Sequence, residues 1–248
     1  MPGFLRTVLS LLWKLGFIVL MLATLLVLPL LLLCKVFLRL TAYRLLVYRV
    51  AQTWGWLTVY TTGSRITLQG RENIPADGNY CFVGNHQSLF DIPAFLACVN
   101  RPVGFIAKRE LKRFPVLRQW MEQMPSLFLD RQDARQALRL FAKGKQLLES
   151  GFPLMIFPEG GRSGKAQMRD WHPGSLRLPL MARAAIVPVA ISGTWKIMGL
   201  DATVKPARIN IRILPPIAPE DPLYKDKAGL FTHIHGTLRA ALKDLDRE

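Results

Sequence analysis

The sequence predicts an α/β domain, residues 63–248, behind a membrane-anchoring pair of N-terminal helices, residues 1–62. Three observations carry that prediction. Apolar residues make up 50% of the 248, yet they gather in the first sixty positions, which contain no Asp or Glu. Past residue 64, short strand-like runs alternate with helical stretches, the pattern of sheet and helix packed in layers. The length suits one medium-sized core plus an anchor, because single cores stop growing near about 250 to 300 residues.

The first element is the run from Leu15 to Cys34, twenty consecutive uncharged residues bracketed by Lys14 and Lys35. As a helix it is about 30 Å long, the thickness of a bilayer core. It exceeds the apolar stretch of a cleavable signal peptide, no A-x-A site closes it, and basic helix follows it. Residues 42–60 continue as an amphipathic helix, with Leu46, Val50, Trp54 and Leu57 on one stripe and Arg44, Arg49 and two tryptophans suited to a membrane interface. Thr61-Thr62-Gly63-Ser64 ends it. Two arrangements are open: a single span with the flank bearing Lys35, Arg39, Arg44 and Arg49 inside, or a helical pair dipping into one leaflet. Both leave the globular part on the cytoplasmic face of the cell inner membrane.

Candidate strands follow at 65–69, 80–84, 103–107, 126–130, 153–157, 186–192 and 207–214. In the last, Ile209, Ile211 and Ile213 alternate with Arg208, Asn210 and Arg212, so one face is buried and the other wet. Between the fourth and fifth, Ala134 to Glu149 carries the punctuation of a helix: Asp133 as N-cap with Gln136 reaching back, and Gly151 past the end.

Net charge is +16, six from the first sixty residues and ten from the rest, where 27 Lys and Arg face 17 acids. A basic surface suits nucleic acid or an anionic membrane. Excess charge beside twenty apolar residues, without an aromatic-lined groove, favours anionic membrane lipids and argues against nucleic acid. Cys34, Cys81 and Cys98 read as buried thiols, and neither they nor the four histidines have metal-ligand spacing, so no metal site is expected.

Two segments carry chemistry. Tyr80 to Asp91 is an apolar strand running into polar residues, where α/β proteins place functional groups. His86 and Asp91 would lie about 140° apart on one helix, so they meet only if His86 sits on a turn and Asp91 on the helix that follows. In that geometry Asp91 accepts the Nδ1 hydrogen and leaves Nε2 to take a proton from an alcohol. On spacing alone the pair also fits two loop caps. The second segment, Phe157 to Lys165, follows another apolar strand; its glycines let backbone approach an anion, Arg162 offers a planar fork to phosphate, and Glu159 could orient Arg162 or an acceptor hydroxyl. Taken alone it equally fits a glycine-rich turn with a surface ion pair.

Together the segments resemble the hallmark blocks of the glycerolipid acyltransferase family. Asn85-His86 through Asp91 is similar to N-H-x-x-x-x-D, and Phe157 through Ser163 is similar to F-P-E-G-T-R-S, with Gly161 where threonine is usual. Phe128-Leu129-Asp130-Arg131 and Ile186-Val187-Pro188-Val189-Ala190-Ile191 resemble two further blocks, so the resemblance runs in order from about residue 65 to 192. It implies a mixed sheet flanked by helices, catalysis by His86 with Asp91, and acceptor phosphate binding by Arg162 with Lys108 and Arg131. Glu159 would position the acceptor, with Gly160 beside it in the substrate loop. His172-Pro173-Gly174 stands where many members have lysine before glycine, which removes a cation expected near the acceptor.

The implied reaction moves a fatty acyl group from a thioester of coenzyme A or acyl carrier protein to the free sn-2 hydroxyl of lysophosphatidic acid, giving phosphatidic acid, with no other cofactor. A different lysolipid acceptor, such as lyso-ornithine lipid, would use the same residues. A non-catalytic basic membrane adaptor, with His86 and Asp91 as caps, is the reading from another class.

Overall fold

The computed structural model describes residues 2–130, 132–199 and 202–247. Helices α1 (Pro2–Phe37) and α2 (Leu40–Tyr60) lead into β1 (Arg65–Gln69), β2 (Tyr80–Gly84), α3 (Asp91–Cys98), β3 (Gly104–Lys108), α4 (Pro115–Gln123) and β4 (Leu127–Leu129). Then come α5 (Ala134–Glu149), β5 (Leu154–Ile156), α6 (Arg177–Met181), β6 (Ala185–Ser192), β7 (Arg208–Ile213) and α7 (Lys227–Leu245). Each strand falls within a residue of its expected ends. Asp133 does cap α5, accepting the Gln136 amide at 2.9 Å, but the Gln136 side chain reaches past the cap to the Asp130 amide, also at 2.9 Å.

The strands form one sheet in the order β1-β7-β6-β2-β5-β3-β4. From β6 to β4 all neighbours are parallel, whereas β7 pairs antiparallel with β6 and carries β1 parallel to itself, so the sheet is mixed. Central β2 is buried along its whole length because helices cover both faces. Tyr80 and Phe82 pack toward α2 and α3, while Cys81 and Val83 pack toward α5, α6 and α7. Nearer the edge, β7 keeps the alternation of a strand wet on one face, with Ile209, Ile211 and Ile213 inside.

Helix α2 is built into this core. Tyr48, Ala51 and Val59 are buried in one cluster with Ala94, Phe95 and Leu96 of α3, whereas the stripe of Leu46, Val50, Trp54 and Leu57 is only half-buried. The face turned to the domain is therefore not the most apolar one. Close approach decides it: a Cβ at Gly55 would lie 2.5 Å from the Pro93 carbonyl oxygen.

Helix α1 is 36 residues long, and Gly3–Phe37 is long and apolar enough to cross a membrane. One side touches the domain. Ser10 Oγ accepts the Val204 amide, Trp13 Nε1 donates to Thr61 Oγ1 and Thr24 Oγ1 accepts the Trp120 indole hydrogen, each at 2.9 Å. Its other sides expose large apolar residues from Phe4 to Phe37.

Candidate active site

Strand β2 delivers the first group. Past its last residue, the Asn85 side chain pairs with both backbone groups of Ile191 on β6, at 2.8 Å each. That clamp carries the β2–β6 pairing beyond the strand and fixes where His86 emerges, at the carboxyl ends of the parallel strands. Asp91 opens α3. His86 Nδ1 lies 2.6 Å from Asp91 Oδ2 across the strand, turn and helix that the spacing requires. Asp91 is fully buried, while the His86 side chain keeps 17% exposure. Oδ2 of Asp91 also accepts the Ser88 amide at 2.9 Å, and Oδ1 accepts the Thr194 hydroxyl. Three donors satisfy a carboxylate that burial would otherwise penalise. The imidazole stacks on Phe157, centroids 4.3 Å apart at 20°, so the second segment sets the plane of the ring.

That second segment leaves β5 at Ile156. Glu159 is 3% exposed, and its two oxygens accept the backbone hydrogens of His86 and Arg169, each at 2.7 Å. Its carboxylate thus ties the two loops together and forms no ion pair with Arg162. Burial pushes its pKa up, against the pull of those two amides. Further rungs join the loops: the Ser163 and Gly164 amides donate to the His86 and Gln87 carbonyls at 2.8 and 3.0 Å, and Gln87 Nε2 donates to the Ala166 carbonyl at 3.1 Å. Gly160, at φ +61°, turns the chain. Its amide closes that turn on the Phe157 carbonyl at 2.9 Å.

Cations line the same edge. Arg162 is exposed on the loop, and Lys108 is exposed at the end of β3. With Phe105 opposite Met155 in the β3–β5 pairing, Lys108 stands level with the loop that leaves β5. Neither is hydrogen-bonded to His86. Arg131 lies outside the described residues; beside it, the Gln132 amide and Arg109, 2.5 Å away, hold the Asp130 carboxyl below its ordinary range. Among the described residues no group of three or more His, Cys, Asp or Glu is placed to hold a metal ion.

Two neighbours of the site were not singled out from sequence. Thr194 is 103 residues from the Asp91 it serves, and a hydroxyl after a strand carries no mark of its partner. Arg169, ten residues past Glu159, reads as one more surface cation.

The geometry defines a class: an α/β protein with a histidine braced by a buried aspartate at the carboxyl edge of a mixed sheet, among exposed cations. Comparison gives the family. A family profile described as Acyltransferase matches residues 65–192, from the start of β1 to the end of β6, and the chain belongs to that family. A 1-acyl-sn-glycerol-3-phosphate acyltransferase from Chlamydomonas reinhardtii is 32% identical over 158 residues, 61% of this chain and 47% of its own length. One from Borreliella burgdorferi is 29% identical over 138 residues, 56% of this chain and 55% of its own. The chain thus spans about half the length of the curated relatives it matches. The crystal structure of the 1-acyl-sn-glycerophosphate acyltransferase of Thermotoga maritima superposes with a TM-score of 0.83 at 25% identity, covering 98% of each chain.

Proposed function

We propose that the protein transfers a fatty acyl group from a coenzyme A or acyl carrier protein thioester to the sn-2 hydroxyl of lysophosphatidic acid, yielding phosphatidic acid. The observation that carries the reading is the 2.6 Å contact between His86 Nδ1 and the buried Asp91. Asp91 holds the proton on Nδ1, so Nε2 is the basic nitrogen presented where the ring is exposed. As Nε2 takes the hydroxyl proton, the acceptor oxygen bonds to the thioester carbonyl carbon. Collapse of the tetrahedral adduct breaks the carbon–sulfur bond, and the departing thiolate takes the proton back from His86. Lys108, Arg131 and Arg162 are assigned to the acceptor phosphate, a dianion suited to several cations. Glu159 acts on the acceptor through the loop it secures.

In this reading residues 1–62 anchor residues 63–248, with α1 in the cytoplasmic leaflet of the inner membrane and α2 fastening it to the domain. Trp13 of α1 lies against Phe90, ring centroids 5.6 Å apart. Phe90 precedes Asp91, so a lipid acceptor reaching the dyad from the bilayer has a short path. Anionic lipids are the partner matched by the charge of +16.

The test is transfer from labelled acyl thioester to lysophosphatidic acid in membranes holding the protein at matched abundance. His86→Ala is expected to lower turnover by about 100-fold or more, the scale of a lost general base. Equal rates for the two proteins would sink the reading.

A further inference from the structure

We infer that Arg169 is a further phosphate-binding cation of the acceptor site, beside Arg162, and that Gly161 leaves its guanidinium room; this rests on the lysophosphatidic acid reading above. Arg169 is anchored through its backbone, whose N–H donates to Glu159 Oε2 at 2.7 Å, and the other oxygen of that carboxylate holds the His86 amide. The start of the Arg169 side chain is thus fixed to the residue that fixes the catalytic loop. From there the guanidinium runs back over the turn: Nη1 lies 3.5 Å from the Arg162 carbonyl oxygen, a long contact that leaves most of its donors available. Both arginines are exposed, and neither forms an ion pair with a described residue.

Two exposed arginines on one turn gather positive charge that an anion bound there would offset. A phosphate monoester offers two charges and three acceptor oxygens, enough for two planar forks. The sequence departures become one arrangement in this light. A Cβ at Gly161 would stand 3.1 Å from Arg169 Nη1, a tight contact that the larger threonine of the resembled block would relieve only by shifting the guanidinium. The resemblance also implies a lysine before Gly174, where this chain has His172-Pro173. Arg169 supplies a cation to the loop in place of that lysine, and Gly161 keeps the space beside Nη1 uncrowded.

The experiment is initial-rate kinetics of the full chain in mixed micelles, with lysophosphatidic acid and with monoacylglycerol, the same acceptor without its phosphate. Arg169→Gln should raise KM for lysophosphatidic acid about tenfold, the scale of one exposed charge-assisted contact, and leave kcat and the monoacylglycerol rate nearly unchanged. Gly161→Thr should act in the same direction alone and add little to Arg169→Gln. Pro173→Lys should recover part of the lost affinity in the Arg169→Gln protein. Wild-type turnover of lysophosphatidic acid with a KM untouched by Arg169→Gln overturns the assignment while sparing the proposed reaction. A wild-type protein inactive on lysophosphatidic acid overturns the acceptor reading, and the assignment with it.

Discussion

Thr194 donates to the Asp91 oxygen that His86 does not use, so removing its hydroxyl while keeping its shape should be felt at the dyad. Thr194→Val leaves one oxygen of a buried carboxylate short of a donor, at a cost of about 1–3 kcal/mol in stability. A fall in kcat should accompany it, with Thr194→Ser restoring both; an unchanged urea midpoint and rate would refute the role. Glu159 makes a pH-dependent prediction. Its folded pKa is raised above the ordinary 4.5, chiefly by burial, so the folded state favours the protonated carboxyl. The stability linked to this group is therefore full below about 4.5 and lost as pH rises through the folded value. Urea midpoints of wild type minus Glu159→Gln should decrease from pH 4 to pH 7, and an increase would show the sign to be wrong. His86 and Asp91 were legible in the sequence because one strand, turn and helix holds both. The partners of Glu159 were not, since the choice between a guanidinium and two backbone amides depends on how the loops after β2 and β5 converge.

The seven strands and α5 were legible because their signals are local: alternation, apolar runs, a capping aspartate and a closing glycine. Their order in the sheet, with β7 reversed between β1 and β6, is a property of long-range pairing that no local pattern encodes. Helix α2 marks the boundary between the two kinds of information. Its most apolar stripe is real, but at its closest approach to α3 the residue is Gly55, where a side chain does not fit. Helix propensity alone would have Gly55→Ala stabilise α2 by about 1 kcal/mol. Contact predicts the opposite, because the added Cβ meets the Pro93 carbonyl oxygen at 2.5 Å and must push α3 away. Since α3 begins with Asp91, Gly55→Ala should both lower the urea midpoint and reduce acyl transfer. A more stable, fully active variant would mean that the helices separate without cost.

At the scale of the whole molecule, the contacts along α1 bear on the two membrane arrangements that the sequence left open, and they support the in-leaflet one proposed above. The domain grips α1 at Ser10 and at Thr24, about 21 Å apart along the axis at 1.5 Å per residue. Were α1 to stand across a hydrocarbon core of about 30 Å, these grips would sit at depths differing by most of that core. One part of the domain would then be drawn into lipid. The part holding Thr24 is α4, which buries Trp120 on one face and carries the exposed ion pair of Arg118 and Glu122 on the other, and charges placed at the bilayer centre cost about 2.5–3.5 kcal/mol each by insertion scales. Lying along one leaflet, α1 can bury its exposed leucines while the domain stays in water. Cysteines placed one at a time at Arg6 and at Lys225, in a protein with Cys34→Ser and Cys98→Ser that keeps only the buried Cys81, should therefore react with a membrane-impermeant maleimide from the same side of sealed vesicles. Labelling from opposite sides would establish a span, and would require α1 to come away from Val204 or Trp120 when it enters the membrane.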